Sequence, residues 1–246
     1  VAASLRDFFN LDFVEWKRRR RVILGLEEDP FDTFDLQIQL QKELNLHPLY
    51  FILCGEYDMN DKNISLRNDH FQDLIKRLGD YARVGIHPSY SSYLNKEKVR
   101  NELTRLSQVL NREITMSRQH FLRLNMPLTY QILIDLDITD DYTMGYPSQT
   151  GFRAGIADTF PFFDLEHDNV TSLNIHPFAV MDGTLRDYLD LNPEESYARV
   201  AKLIQEVKDV NGKFILLWHN ETLSDEKRWK GWLELYRKIL DCALAK

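Results

Sequence analysis

Leu49-Tyr50-Phe51-Ile52-Leu53-Cys54-Gly55 is an unbroken apolar run closed by a glycine. The run is too short for a core helix and lacks polar–apolar alternation. It reads as a strand buried on both faces, the kind found in parallel sheets covered by helices. The residues after it keep the same rhythm. A helix is predicted over 68–78, then a strand at Arg83-Val84-Gly85-Ile86. A second helix over 96–111 carries Val99, Leu103, Leu106 and Leu110 on one face. A strand at Ile114-Thr115-Met116, a helix over 127–136 and a strand over 138–142 follow. Residues 143–190 are aromatic and loop-like, with Phe152, Phe160, Phe162, Phe163 and Phe178. A helix over 196–210, a strand at Lys213-Phe214-Ile215-Leu216-Leu217-Trp218 and an amphipathic helix over 229–244 complete the chain. Upstream of the first run, Asp32-Thr33-Phe34-Asp35 marks a helix start with Asp32 or Thr33 as N-cap. Before it, Leu5, Phe8, Phe9, Phe13 and Trp16 recur at helical spacing over 5–24, ending at Gly25.

Strand–helix alternation predicts parallel strands joined by crossover helices. Neither G-x-G-x-x-G nor G-x-x-x-x-G-K-[ST] follows any strand, so dinucleotide-binding and P-loop folds lose their main support. A barrel-like α/β fold remains, with function at the C-terminal strand ends. The 246 residues divide into a basic amphipathic helix segment, 1–28, and a barrel domain, 29–246.

Composition narrows the function. Hydrophobic residues make up 43% and charged residues 28%, which is ordinary for a globular chain. No run approaches the roughly 18 apolar residues of a membrane span. The net charge of −7 argues against a nucleic-acid partner held by phosphate neutralisation. In an acidic chain the run Lys17-Arg18-Arg19-Arg20-Arg21 reads as a solvated helix face without a catalytic role. Two cysteines, Cys54 and Cys242, make no disulfide framework. A reducing compartment and the lack of a signal-peptide layout give a cytoplasmic expectation.

Histidines gather after the strands. His87-Pro88-Ser89-Tyr90 follows one, Ser117-Arg118-Gln119-His120 another, and His219-Asn220-Glu221 the last; His176 stands ahead of Val180-Met181-Asp182-Gly183. Neutral imidazoles converging on one rim suit zinc and similar ions. His47, His70 and His167 lack this setting and read as surface or hydrogen-bonded structural residues. Asp58, Asp140, Asp141, Asp182 and Glu221 lie near the rim, and any of them could orient a histidine or act as a base.

This pattern resembles the polysaccharide deacetylase family, carbohydrate esterases with a distorted (β/α) barrel. The resemblance covers about 29–240. It rests on Asp29-Pro30-Phe31-Asp32-Thr33-Phe34-Asp35, Gly85-Ile86-His87-Pro88-Ser89-Tyr90, Ser117-Arg118-Gln119-His120-Phe121-Leu122-Arg123, Gly151-Phe152-Arg153-Ala154-Gly155, Val180-Met181-Asp182-Gly183-Thr184-Leu185 and Trp218-His219-Asn220-Glu221. It implies a metal-dependent hydrolase acting on an N- or O-acetylated sugar, with a divalent ion, zinc first, as cofactor. His87 matches the first metal histidine and His219 the leaving-group acid. Ser91 stands where the second metal histidine belongs, and His120 is taken as its substitute. Asp182 is taken as a catalytic partner. Tyr90, Arg118, Arg153, Trp218 and Phe152 are candidate substrate contacts. The family's first strand, with its aspartate pair, has no counterpart before the helix at Asp32. Of Asp29, Asp32 and Asp35 in this stretch, Asp32 and Asp35 fit that helix start instead. Two other readings stay open. One is a degenerate barrel binding a saccharide or a partner protein, and the other is an amide hydrolase with no metal or a different one.

Overall fold

The computed structural model describes residues 13–245. Helix α1 (Phe13–Ile23) and helix α2 (Phe34–Glu43) precede strand β1 (Leu49–Leu53). Then come α3 (Asp69–Tyr81), β2 (Arg83–His87), α4 (Lys96–Leu110), β3 (Met116–Ser117), α5 (Leu128–Ile134) and β4 (Asp140–Asp141). A hairpin of β5 (Phe160–Asp164) and β6 (Asn169–Ile175) follows. The chain ends with β7 (Val180–Met181), α6 (Pro193–Asp209), β8 (Leu216–Leu217) and α7 (Trp232–Leu244).

The main sheet runs in the order β1-β2-β3-β4-β6-β5, parallel except for β5, which is antiparallel to β6. Strands β7 and β8 form a separate parallel pair. Along the passage from β6 to β7, His176 N–H extends the β6–β4 pairing onto the Asp141 carbonyl at 2.8 Å, Phe178 donates to Met144 at 3.1 Å, and Ala179 extends the β7–β8 pairing onto Ile215 at 2.9 Å. No ladder closes from β8 back to β1 among the described residues. The expected barrel is thus a mixed α/β fold with a mostly parallel sheet. No strand precedes β1 among the described residues.

Local chemistry sets the elements. Asn68 and Asn95 cap α3 and α4 by accepting from Phe71 N and Lys98 N. Asn192 and Glu195 form a capping box at α6, with Pro193 in the first turn. Asn111 ends α4 in the left-handed conformation, φ 50°. Alternation along β2 sends Val84 and Ile86 into the helix-side core with Ile75, Leu103, Leu106, Ile138 and Ile175. Gly85 and His87 consequently face the other way. A second core joins Val180, Val200, Ile204, Trp232, Leu235 and Ile239 beneath α6 and α7.

Three expectations change. The stretch 143–190, read as loop, contains the β5–β6 hairpin. Pro161 hides β5 in the sequence, but an edge strand has no outer ladder bond for a proline to lose. Thr33 does not cap α2; its hydroxyl donates to the Asn220 carbonyl at 3.0 Å, tying α2 to the segment after β8. The basic run is not simply solvated. Arg18 forks onto Glu226 at 2.7 and 3.0 Å, and Arg21 pairs with Glu27 at 3.2 Å. The part of the first predicted helix over 5–12 lies outside the described residues, and none of α1's residues is buried. No helix among the described residues is long and apolar enough to cross a membrane.

Gly55 shows how tightly the rim is built. A Cβ there would lie 2.5 Å from Ser89 Cβ, two residues from His87. Gly55→Ala should therefore lower stability by about 1–3 kcal/mol through overpacking. Urea denaturation should read this as a lower midpoint at an unchanged slope.

Candidate active site

The inward face of β2 is shaped by an absence. A side chain at Gly85 would meet the Phe51 ring at 2.8 Å and the Met116 carbonyl at 2.7 Å. Phe51 fills that room, and the Arg118 guanidinium lies 4.3 Å from its ring centre. Arg118 Nε donates to the Tyr142 carbonyl at 3.2 Å. Burial pushes the Arg118 pKa down to about 10, so it stays cationic at neutral pH.

His87 and His120 form a pair with ring centres 4.9 Å apart. His87 Nδ1 donates to the Arg118 carbonyl. His120 Nδ1 lies 2.9 Å from Asp61 Oδ1. Asp61 is fully buried and also accepts from Tyr90 N at 2.7 Å and Ser91 N at 3.1 Å. With both Asp61 oxygens accepting backbone N–H groups, His120 Nδ1 is the donor of its bond. In the neutral rings the proton therefore sits on Nδ1, and each Nε2 carries a lone pair. Burial, reinforced by the neighbouring His120, drives the His87 pKa down to about 3, so His87 stays neutral. Two Nε2 atoms whose rings are oriented through Nδ1 match the donor chemistry of a zinc site. The pair does not complete such a site: among the described residues no group of three or more His, Cys, Asp or Glu is placed to hold an ion.

His219 follows β8 and stands in a different electrostatic setting. Its Nδ1 lies 2.6 Å from Asp182 Oδ1, and its backbone N–H donates to Asp182 Oδ2 at 2.8 Å. Asp182 also accepts from Gly183 N at 2.7 Å and from the Thr222 hydroxyl. Burial alone would raise the Asp182 pKa. The charge and hydrogen bond of His219, with the bond from Thr222, outweigh it and hold the pKa below the ordinary carboxylate value. Burial pulls His219 down, but Asp182 overrides it and lifts the imidazole above its ordinary value. The side chain of His219 is 52% exposed, so its proton can be delivered to a bound molecule.

The other candidate residues scatter. Tyr90 lies edge-on to Phe121 at 5.3 Å and beneath Arg123 at 4.1 Å, beside the His87–His120 pair. Arg153 is half-buried near Tyr130, and among the described residues no contact joins it to the histidines. Trp218 points into the helix layer, 5.3 Å from Tyr236 and 5.9 Å from Trp232, so the expected sugar-stacking face is corrected to core packing. Asp141 is buried and accepts from Ser117 and Thr143, which makes it a structural carboxylate. Asp58 and Glu221 are exposed, and Asp35 pairs with Arg77 at 2.7 Å. His47, His70 and His167 are at the surface, as expected. Sequence reasoning missed Asp61. The only signal was a second aspartate three residues after Asp58 in the same loop.

No family model matches the chain, and no curated protein matches it. The fold is similar to the crystal structure of a protein described as a "putative polysaccharide deacetylase from Mycobacterium smegmatis". The TM-score is 0.59 at 14% identity, over 87% of this chain and 72% of that one. The mixed α/β fold with its mostly parallel sheet is consistent with the deacetylase-like fold expected from the sequence.

The His219–Asp182 pair has a directional test. Asp182→Asn removes the charge that lifts the imidazole and leaves burial, which lowers it. The His219 pKa should fall from above its ordinary value to below it, read by the NMR titration of its ring protons. An unmoved titration would show that Asp182 does not control the proton on His219.

Proposed function

We propose that this chain is a deacetylase-like hydrolase of the carbohydrate esterase type, removing acetyl groups from N- or O-acetylated sugars. The observation that carries the reading is the contrast among three imidazoles at strand ends. His87 and His120 are each held through Nδ1, which leaves Nε2 for a ligand, while His219 is lifted toward the protonated form by Asp182. A divalent ion, zinc first, held by His87 and His120 with further ligands beyond this pair, would supply a polarised acetyl carbonyl and an activated water. The protein's own groups do the rest. His219, its proton affinity raised by Asp182, donates a proton to the departing amine or alcohol. Asp182 positions the ring and keeps that proton available. Arg118 adds a buried positive charge that favours the negative charge developing on the carbonyl oxygen. Tyr90 and the exposed ring of Phe121 offer a surface for a sugar face.

A second reading has its own support. Ser91 occupies the position four residues after His87, and a third ligand is wanting among the described residues. On that reading the fold binds a saccharide without hydrolysis.

Two variants separate the roles. His219→Ala should lose about 10²- to 10⁴-fold in acetate release while keeping its metal, because a general acid touches the leaving group. His87→Ala should lose both metal and activity. Metal analysis with acetate release from an acetylated amino sugar reads both. Loss of metal from His219→Ala would make His219 a ligand. Wild-type protein that binds saccharide but neither metal nor acetyl substrate productively would favour the non-hydrolytic reading.

A further inference from the structure

A second histidine relay lies along the seam between β4 and β6. Asp140 pairs with Asn174 across these strands, so Asp140 and His176 share one face. His176 Nε2 lies 2.7 Å from Asp140 Oδ1, and His176 Nδ1 lies 2.9 Å from Thr159 Oγ1. Lys213 Nζ donates to the same Thr159 oxygen at 3.2 Å. The imidazole cannot swing freely, because the Tyr142 ring stacks on it at 4.3 Å and 7°. The second Asp140 oxygen accepts from Thr139 Oγ1 at 2.7 Å.

The direction of these bonds follows from the groups themselves. An ammonium only donates and a carboxylate only accepts. Lys213 therefore donates to Thr159, and Asp140 accepts from His176 Nε2–H. In the neutral imidazole Nδ1 is then the acceptor, and the Thr159 hydroxyl is the donor that fills it. Every proton in the chain points from Lys213 toward Asp140. This is the arrangement of a hydroxyl nucleophile, a base and a carboxylate orienting the base. Lys213 Nζ is also paired with Asp158 Oδ1 at 2.9 Å, which holds the ammonium beside the hydroxyl oxygen. The His176 and Asp140 side chains are 15% and 20% exposed, whereas Lys213 is 61% exposed, so the relay opens to solvent on the Lys213 side.

We infer that Thr159 is an acyl-accepting nucleophile toward carboxylic esters with a good leaving group, with His176 as its base and Asp140 as the positioning carboxylate. Thr159 Oγ adds to the ester carbonyl carbon as its proton passes to His176 Nδ1. The carbon–oxygen bond to the leaving alcohol breaks, and that alcohol takes the proton from His176. Water then hydrolyses the Thr159 ester, releasing the acid and restoring the hydroxyl. This activity uses none of the side chains assigned to the deacetylase reading.

The test is acylation of the full chain by p-nitrophenyl acetate, quenched in acid and mapped by peptide mass spectrometry. One acetyl group should appear on Thr159, equally with and without chelator. Thr159→Ser should keep the label, and the isosteric Thr159→Val should lose it. His176→Gln and Asp140→Asn should slow labelling, His176→Gln by about 10²-fold or more. Thr159→Val should leave chelator-sensitive acetate release from an acetylated sugar unchanged, so failure here is distinct from failure of the deacetylase reading. No label on wild type, a label elsewhere, or an unchanged rate in His176→Gln would overturn the inference and leave the relay a brace between β4 and β6.

Discussion

Asp61 brings a carboxylate into a fully buried position and is met there by donors from two different strand ends. Burying such a group without partners is costly, so its position is dictated by where those donors can converge. The loop after β1 is thereby pinned to the turn after β2 and to the segment after β3. The relation of His120 to His87 depends on that pin. Glu102 reinforces it from α4, accepting from Ser89 N and Ser89 Oγ beneath the same turn. Burial raises the Glu102 pKa, but the Ser89 bonds oppose the rise.

The same device, a fixed acceptor on one ring nitrogen, recurs at His87, His219 and His176 with different results. On His87 a carbonyl fixes the ring through Nδ1, while burial and the neighbouring His120 keep it neutral. On His219 a buried carboxylate raises the ring's affinity for a proton. Asp140 on His176 turns the far nitrogen toward a hydroxyl. One residue type thus acquires different chemistries from its neighbour and its burial together. The sheet makes this possible, because parallel strands deliver their C-terminal residues to one region while the adjacent loops supply the acceptors.

Elements with a strong periodic signal were legible in the sequence. The apolar run at β1, the Gly85–His87 strand end and the one-sided faces of α4 and α7 could be read directly, because burial there requires a continuous pattern. The hairpin was not legible, since Pro161 and the polar turn through Glu166 and Asp168 mimic a loop. The candidate site was legible as a set of histidines but not as a set of pairs. His87, His120, His219 and Asp182 could be named from their positions after strands. Asp61 could not, because a buried carboxylate in an irregular loop leaves no periodic trace. Trp218 misled for a related reason: the residue before a rim histidine faces the opposite side of its strand.

Several stabilising contacts join opposite ends of the chain. Thr33 reaches Asn220 across 187 residues, and Arg18 reaches Glu226 across 208. The four strands β1 to β4 pair with sequence neighbours and can assemble early. His219, the partner of Asp182, emerges from the ribosome last among the rim histidines. At a synthesis rate of roughly 5–20 residues per second, β8 follows β4 by on the order of ten seconds. The β1 edge has no described neighbour on its outer side before or after that interval, and an unpaired apolar strand edge is a template for misassociation. The ordering of strands along this chain thus lets the main sheet form while the β7–β8 pair, and His219 with it, is still to come.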